Sequence, residues 1–124
     1  MKIMVLDDNP EILSMVTTML ETFYSEAQII AGRNGAEGLA LLNSADTSPD
    51  VILTNLRMPT MDGMAFMSEV RHNTTWDNIR LVMMSAITSA EVETEAAAKG
   101  AQAFLRKPFT SADLRAALNQ VLGI

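Results

Sequence analysis

Five polar side chains that could do chemistry together lie within two residues of the end of a short apolar run. They are Asp7 and Asp8 after residues 2–6, Asn55 after 50–54, Ser85 after 79–84, and Lys107 after 102–105. Two carboxylates with a third oxygen ligand suit a hard cation such as Mg²⁺, which keeps several waters and favours a phosphate partner. A lysine and a hydroxyl facing that cation would neutralise and orient phosphoryl oxygens. These residue types predict a small site for a metal and an anion, not a hydrolytic triad.

The apolar runs that precede these residues are unbroken and rich in Ile, Val and Leu, which is typical of strands buried on both faces of a parallel sheet. A further run lies at residues 27–31, and apolar residues recur at helical spacing between the runs, most clearly in residues 12–23 and 114–122. We therefore expect one α/β domain over residues 1–124. Its predicted architecture is a (βα)5 flavodoxin-like doubly wound parallel sheet with strand order 2-1-3-4-5.

Capping residues predict where several helices begin and end. An Asx or hydroxyl side chain satisfies free N–H groups at a helix start, and a glycine commonly follows a helix end. The predicted starts are Asn9 with Pro10, Thr88 with Glu91, and Thr110 with Asp113, and one predicted end is Lys99 with Gly100.

The expected fold brings the polar residues to one edge of the sheet. Right-handed crossovers place the carboxyl end of every strand at the same edge, and the ligand crevice lies between strands 1 and 3. Asp7, Asp8 and Asn55 should meet there, with Ser85 and Lys107 beside them. Each residue alone is explained as well by a cap, a turn or a surface position. Their shared place at one edge favours a functional site.

Composition excludes several classes of protein. The chain has 124 residues, no cysteine and one histidine, so disulfides, thiol catalysis, multi-histidine metal sites and a Ser-His-Asp triad are not expected. No apolar run approaches the roughly 18 residues of a membrane span. We expect a cytoplasmic protein without membrane contact.

Charge argues against nucleic-acid partners. The formal net charge is −6, with 9 basic and 15 acidic residues. Residues 1–62 hold nine of the acids and three of the bases, so the whole excess lies in the first half. Such a surface repels phosphate backbones.

At these residues the chain resembles the receiver domain of two-component response regulators, including the single-domain chemotaxis type. The resemblance covers essentially the whole chain, and its segments are specific because they occur in order at the family's spacing. The matching segments are Val5–Pro10, Pro49–Thr54, Arg57–Gly63, Val82–Ala86, Gly100–Leu105 and Lys107–Phe109.

The resemblance implies a Mg²⁺ site. Asp8 would bind the cation directly and Asp7 mainly through water, with the backbone carbonyl of Arg57 as a further ligand. Asn55 stands at the position of the phosphoacceptor, where the family has an aspartate. Its amide oxygen could still ligate the cation, and its NH₂ group could bond Asp8 or Ser85. Loss of one negative charge predicts weaker Mg²⁺ binding.

The resemblance also implies a phosphate-handling set and a switch. Ser85 would bond the phosphoryl group, and Lys107 would pair with it next to a cis peptide bond to Pro108. Phe104 stands where an aromatic side chain moves inward as Ser85 shifts. The implied partners are a histidine kinase or a histidine phosphotransfer domain. An output domain or target protein would bind the face of helix 4, strand 5 and helix 5, and we expect a monomer or weak dimer.

The amide at position 55 changes the expected activity. A carboxylate at this position accepts a phosphoryl group as a nucleophile and forms an acyl phosphate. An amide carries no charge, and its nitrogen lone pair is delocalised, so we expect a signalling module that is not an enzyme and is not phosphorylated there. The otherwise matching pocket slightly favours an introduced change in an ordinary receiver. A natural pseudo-receiver that binds proteins without phosphorylation is the alternative.

Two other classes fit the sequence less well. A phosphatase of the haloacid-dehalogenase type needs D-x-D after strand 1, whereas this chain has Asp7-Asp8-Asn9. A flavin-binding electron carrier needs a phosphate loop rich in Ser, Thr and Gly after that strand. The acidic residues found there would repel a phosphate group.

Overall fold

Strands and helices alternate throughout residues 1–87 and 89–124, which are the residues that the computed structural model describes. The strands are β1 (Lys2–Leu6), β2 (Gln28–Gly32), β3 (Val51–Asn55), β4 (Arg80–Ser85) and β5 (Ala101–Arg106). The helices are α1 (Pro10–Phe23), α2 (Gly35–Ser44), α3 (Gly63–Arg71), α4 (Ala90–Ala98) and α5 (Ser111–Leu122), with a short 3-10 helix at Thr74–Trp76. The predicted (βα)5 architecture is confirmed.

The strands pair in parallel in the order β2-β1-β3-β4-β5, which confirms the predicted order 2-1-3-4-5. The central strands β1, β3 and β4 are buried along almost their whole length, which explains their unbroken apolar sequences. Three strands extend one residue further than predicted. Asn55, Ser85 and Arg106 are therefore the last residues of their strands, since Asn55 pairs with Met84 and Ser85 pairs with Arg106.

The sheet separates two apolar cores because successive side chains of a strand point to opposite faces. On β1, Met4 and Leu6 belong to the core beneath α2, α3 and α4. Ile3 and Val5 belong to the core beneath α1 and α5. Burial on both faces holds the strands rigidly, and their carboxyl ends are the positions from which the polar side chains project.

Most predicted helix ends are confirmed. The Asn9 side chain accepts hydrogen bonds at the start of α1. Thr110 and Asp113 form a reciprocal capping box at the start of α5. The start of α4 differs from the prediction, because Ser89 is the N-cap and accepts a hydrogen bond from the Val92 N–H. The predicted cap Thr88 lies outside the described residues.

The end of α4 is as predicted: Lys99 caps it and Gly100 follows with φ +107°. Among the described residues, no helix has the length and apolar character needed to cross a membrane.

Candidate functional site

A cleft of about 310 Å³ opens at the carboxyl ends of β1, β3 and β4. It brings together the side chains that the sequence predicted to meet, which are Asp7, Asp8, Asn55, Ser85 and Lys107. Its wall also contains residues that the sequence did not single out, namely Asn9, Ile12, Ala86 and Ile87. The sequence signals at Asn9 and Ile12 concerned the start and the apolar face of a helix, not the site.

Asp7 is the buried anchor of the cleft. Its side chain is wholly inaccessible to water, and its Oδ2 lies 2.7 Å from Lys107 Nζ, whose side chain is 13% exposed. Its other oxygen, Oδ1, accepts a hydrogen bond of 3.0 Å from the backbone N–H of Asn9. A buried carboxylate needs this much compensation because burial removes the water that would otherwise solvate its charge.

Asn55 bridges the two sides of the cleft. Its Oδ1 accepts a hydrogen bond of 3.0 Å from Lys107 Nζ. Its Nδ2 donates to the backbone carbonyl of Arg57 at 2.8 Å and more loosely to Asp8 Oδ1 at 3.4 Å. These partners fix the direction of the amide, since an ammonium group can only donate and a carbonyl can only accept.

The connection from β3 to α3 holds Asn55 against the rest of the cleft. The N–H of Gly63 donates to the carbonyl of Leu56 at 2.8 Å. A Cβ atom at Gly63 would overlap the carbonyl oxygen of Asn55, so only glycine permits this close approach. Thr60 in the same connection has a positive φ of 68°, which is uncommon for a residue with a side chain.

The predicted switch residues lie on neighbouring strands but not in one pocket. Ser85 is buried in the cleft, where its Oγ accepts a hydrogen bond of 2.9 Å from the Ile87 N–H. Phe104 on β5 is partly buried and lines a separate cavity of about 150 Å³ between α4 and β5. The peptide bond between Lys107 and Pro108 is cis, and Pro108 lies outside the cleft wall.

The side chains at the cleft do not fit a divalent cation as they stand. Asp7 is already paired by Lys107, and the group between Asp8 and the Arg57 carbonyl is an N–H donor of Asn55. Across the described residues, no cluster of three or more His, Cys, Asp or Glu side chains is placed to hold a metal ion. The cleft therefore presents a buried ion pair, a polarised amide, a hydroxyl and one exposed carboxylate.

Comparison with known proteins identifies the family. The model of the response regulator receiver domain matches residues 3–119. A sensor histidine kinase, TmoS of Ectopseudomonas mendocina, is 28% identical over 123 residues, which are 99% of this chain and 12% of that kinase. The chain spans about a tenth of the length of the curated relatives it matches.

Solved structures agree with the fold. The chemotaxis protein CheY4 of Vibrio cholerae superposes with a TM-score of 0.88 at 31% identity, over 97% of both chains. The receiver domain of the sensor histidine kinase PA1611 from Pseudomonas aeruginosa superposes with a TM-score of 0.86 at 21% identity, over 99% of this chain and 98% of that one. That protein holds a magnesium ion in its active site cleft.

Proposed function

Because this chain belongs to the response regulator receiver domain family, we propose that it is a receiver module of two-component signalling in which residue 55 accepts no phosphoryl group. One observation carries the proposal. The side chain at the end of β3, between Lys107 and Asp8, is the carboxamide of Asn55. The receiver resemblance implies a carboxylate at this position.

A carboxylate and a carboxamide differ in their ability to accept a phosphoryl group. A carboxylate oxygen attacks the phosphorus of a phosphohistidine, an acyl phosphate forms, and the imidazole leaves. A neutral amide is a poor nucleophile because its nitrogen lone pair is delocalised into the carbonyl. The neighbouring Lys107 and Ser85 remain as the groups that would pair with and bond a phosphoryl group.

We also propose that the loss of one negative charge at position 55 weakens Mg²⁺ binding. With a carboxylate at position 55, Asp7, Asp8 and the Arg57 carbonyl would complete an oxygen-rich set of the kind that Mg²⁺ favours. The magnesium ion in the Pseudomonas receiver supports this cleft as the place for the cation. Asn55 removes one negative charge from that set.

A module without phosphoacceptance acts by binding other proteins. The proposed input partner is a histidine kinase or a histidine phosphotransfer domain. The proposed output surface is the face formed by α4, β5 and α5, where an output domain or target protein would bind. This face is partly acidic, because α4 carries Glu91, Glu93 and Glu95. Glu93 is paired with Arg106 of β5 at 3.2 Å.

The deciding experiment is intact-mass measurement after incubation with acetyl phosphate and Mg²⁺, on this protein and on Asn55→Asp. We expect Asn55→Asp to gain one phosphoryl group and this protein to gain none. The variant Asn55→Asp/Lys107→Ala is the matched control, since it has the acceptor without the lysine and should gain much less.

The outcomes distinguish a receiver that is blocked only at residue 55 from a pseudo-receiver. If only Asn55→Asp takes up a phosphoryl group, Asn55 alone prevents phosphorylation of an otherwise ordinary receiver. No uptake by either protein favours a pseudo-receiver that binds partners independently of phosphorylation. A phosphoryl group on the unchanged protein at this cleft contradicts the proposal.

A further inference from the structure

We propose that the Asn55 carboxamide takes the place of a divalent cation in this cleft and excludes Mg²⁺ from it. The inference rests on the proposed function in one respect, because it takes the cleft as the cation site of a receiver. It goes further by assigning Asn55 an active role. The lost charge alone would leave an open but weaker site, whereas the amide fills the site.

First, the hydrogen-bond partners of Asn55 determine the orientation of its amide. With Oδ1 toward Lys107 Nζ and Nδ2 toward the Arg57 carbonyl, every contact joins a donor to an acceptor. A half-turn of the amide would face its NH₂ group with an ammonium and its oxygen with a carbonyl oxygen, and both contacts would be repulsive. Presenting an oxygen ligand to a metal requires this half-turn.

The positions of the oxygen atoms are the second step. A cation in a receiver cleft gathers oxygen lone pairs around one positive centre. Here the NH₂ group performs that task, since it contacts the Arg57 carbonyl at 2.8 Å and Asp8 Oδ1 at 3.4 Å. Mg²⁺ binds its ligands at about 2.0–2.1 Å, so it cannot approach the carbonyl along this direction unless the amide moves away.

The balance of charge is the third step. Lys107 already pairs with Asp7 and also donates to Asn55. Asp8 is exposed and forms no salt bridge with any described residue, so it is the one carboxylate left to attract a cation. A single exposed carboxylate attracts Mg²⁺ weakly, because the ion gives up its water reluctantly. The hydrogen bonds of the amide are therefore more favourable in this cleft than the binding of Mg²⁺.

A counterintuitive result follows for alanine at position 55. Asn55→Ala removes an oxygen that could ligate a metal, and adds no charge. If Asn55 were a metal ligand, as the sequence suggested, this variant would bind Mg²⁺ more weakly. If the amide excludes the cation, the variant binds Mg²⁺ more tightly, because water can enter and complete the coordination shell.

The test is a Mg²⁺ titration of the whole protein followed by NMR shifts of the backbone amides at the cleft. We expect Asn55→Ala to bind Mg²⁺ about tenfold more tightly than the unchanged protein, a factor that corresponds to about 1.4 kcal/mol. Asn43→Ala is the matched control, because Asn43 lies on α2, outside the cleft, and its side chain donates to the Leu39 carbonyl of the same helix. Equal or weaker binding by Asn55→Ala overturns the proposal.

A second measurement needs no variant. The side-chain NH₂ protons of Asn55 should keep their chemical shifts as Mg²⁺ is added, because the amide stays bonded to the Arg57 carbonyl. Shifts of these protons that saturate at low metal concentration would overturn the proposal. Neither measurement involves phosphoryl transfer, so failed uptake by Asn55→Asp would favour the pseudo-receiver and leave this comparison intact.

Discussion

Asp7 and Lys107 form an ion pair that is almost entirely shielded from water, with side-chain exposures of 0% and 13%. The pair of Arg33 and Glu37 is different, since its side chains are 75% and 41% exposed. Exposed pairs contribute little to stability because water and salt screen them, whereas removing one partner of a buried pair leaves an uncompensated charge. At the residue scale, Lys107 is therefore both a group of the cleft and a structural residue.

We expect Lys107→Met to lower the free energy of unfolding by about 3 kcal/mol, because it leaves the buried Asp7 carboxylate without a cationic partner. Arg33→Met is the surface control and should cost less than about 1 kcal/mol. Urea denaturation of the three proteins measures both values. The double variant Asp7→Asn/Lys107→Met should recover part of the loss, and no recovery would contradict an electrostatic cause.

At the scale of elements, the start of α5 determines how the chain leaves the cleft. The helix begins at Ser111, four residues after Lys107, and its capping box joins Thr110 to Asp113 in both directions. The hydrogen bond from the Thr110 backbone, with a second from its side chain, holds the pKa of Asp113 below its ordinary value. The cap is therefore strongest when Asp113 is ionised.

This pKa shift predicts an acid-dependent contribution to stability. A carboxyl group whose pKa is lowered in the folded state stabilises the protein above its unfolded pKa of about 3.9, and the contribution is lost as the pH falls through the lower folded pKa. Asp113→Asn should therefore be less stable than the unchanged protein at neutral pH. The difference should shrink below about pH 4, and urea midpoints across this range measure it. A difference that stays constant with pH would contradict the explanation.

At the scale of the whole molecule, two cores lie back to back on one sheet. Trp76 belongs to the core beneath α2, α3 and α4. Tyr24 packs against the core beneath α1 and α5, and its hydroxyl donates to Asn119 at 2.7 Å. Burial raises the pKa of Tyr24 above its ordinary value. The same strands supply side chains to both cores, so neither core can persist when the sheet is lost.

We therefore expect the two cores to unfold in one transition. The sequence contains one Trp and one Tyr, so each core carries a unique probe. Trp76 fluorescence and the ¹⁹F signal of fluorotyrosine at position 24 should report the same urea midpoint. Two distinct midpoints would show that one face unfolds before the other.

The sequence alone was sufficient to predict the element order, the strand order and the five polar side chains of the cleft. These features follow from local patterns, such as unbroken apolar runs, helical spacing and caps at Asn9 and Thr110. The carboxyl edge of a parallel sheet then brings distant residues together by topology. The resemblance to receiver domains was confirmed by the family match over residues 3–119.

Local sequence patterns did not predict the features that depend on tertiary contacts. The last residues of β3 and β4 depend on pairing with the next strand, and the Ser89 cap depends on where α4 begins. The direction of the Asn55 amide depends on the neighbouring Arg57 carbonyl and on Lys107, which is 52 residues away along the chain. The sequence determined that an amide stands in this cleft. Only the folded chain decided that its N–H group faces the oxygen atoms, because the ammonium of the distant Lys107 donates to the amide oxygen.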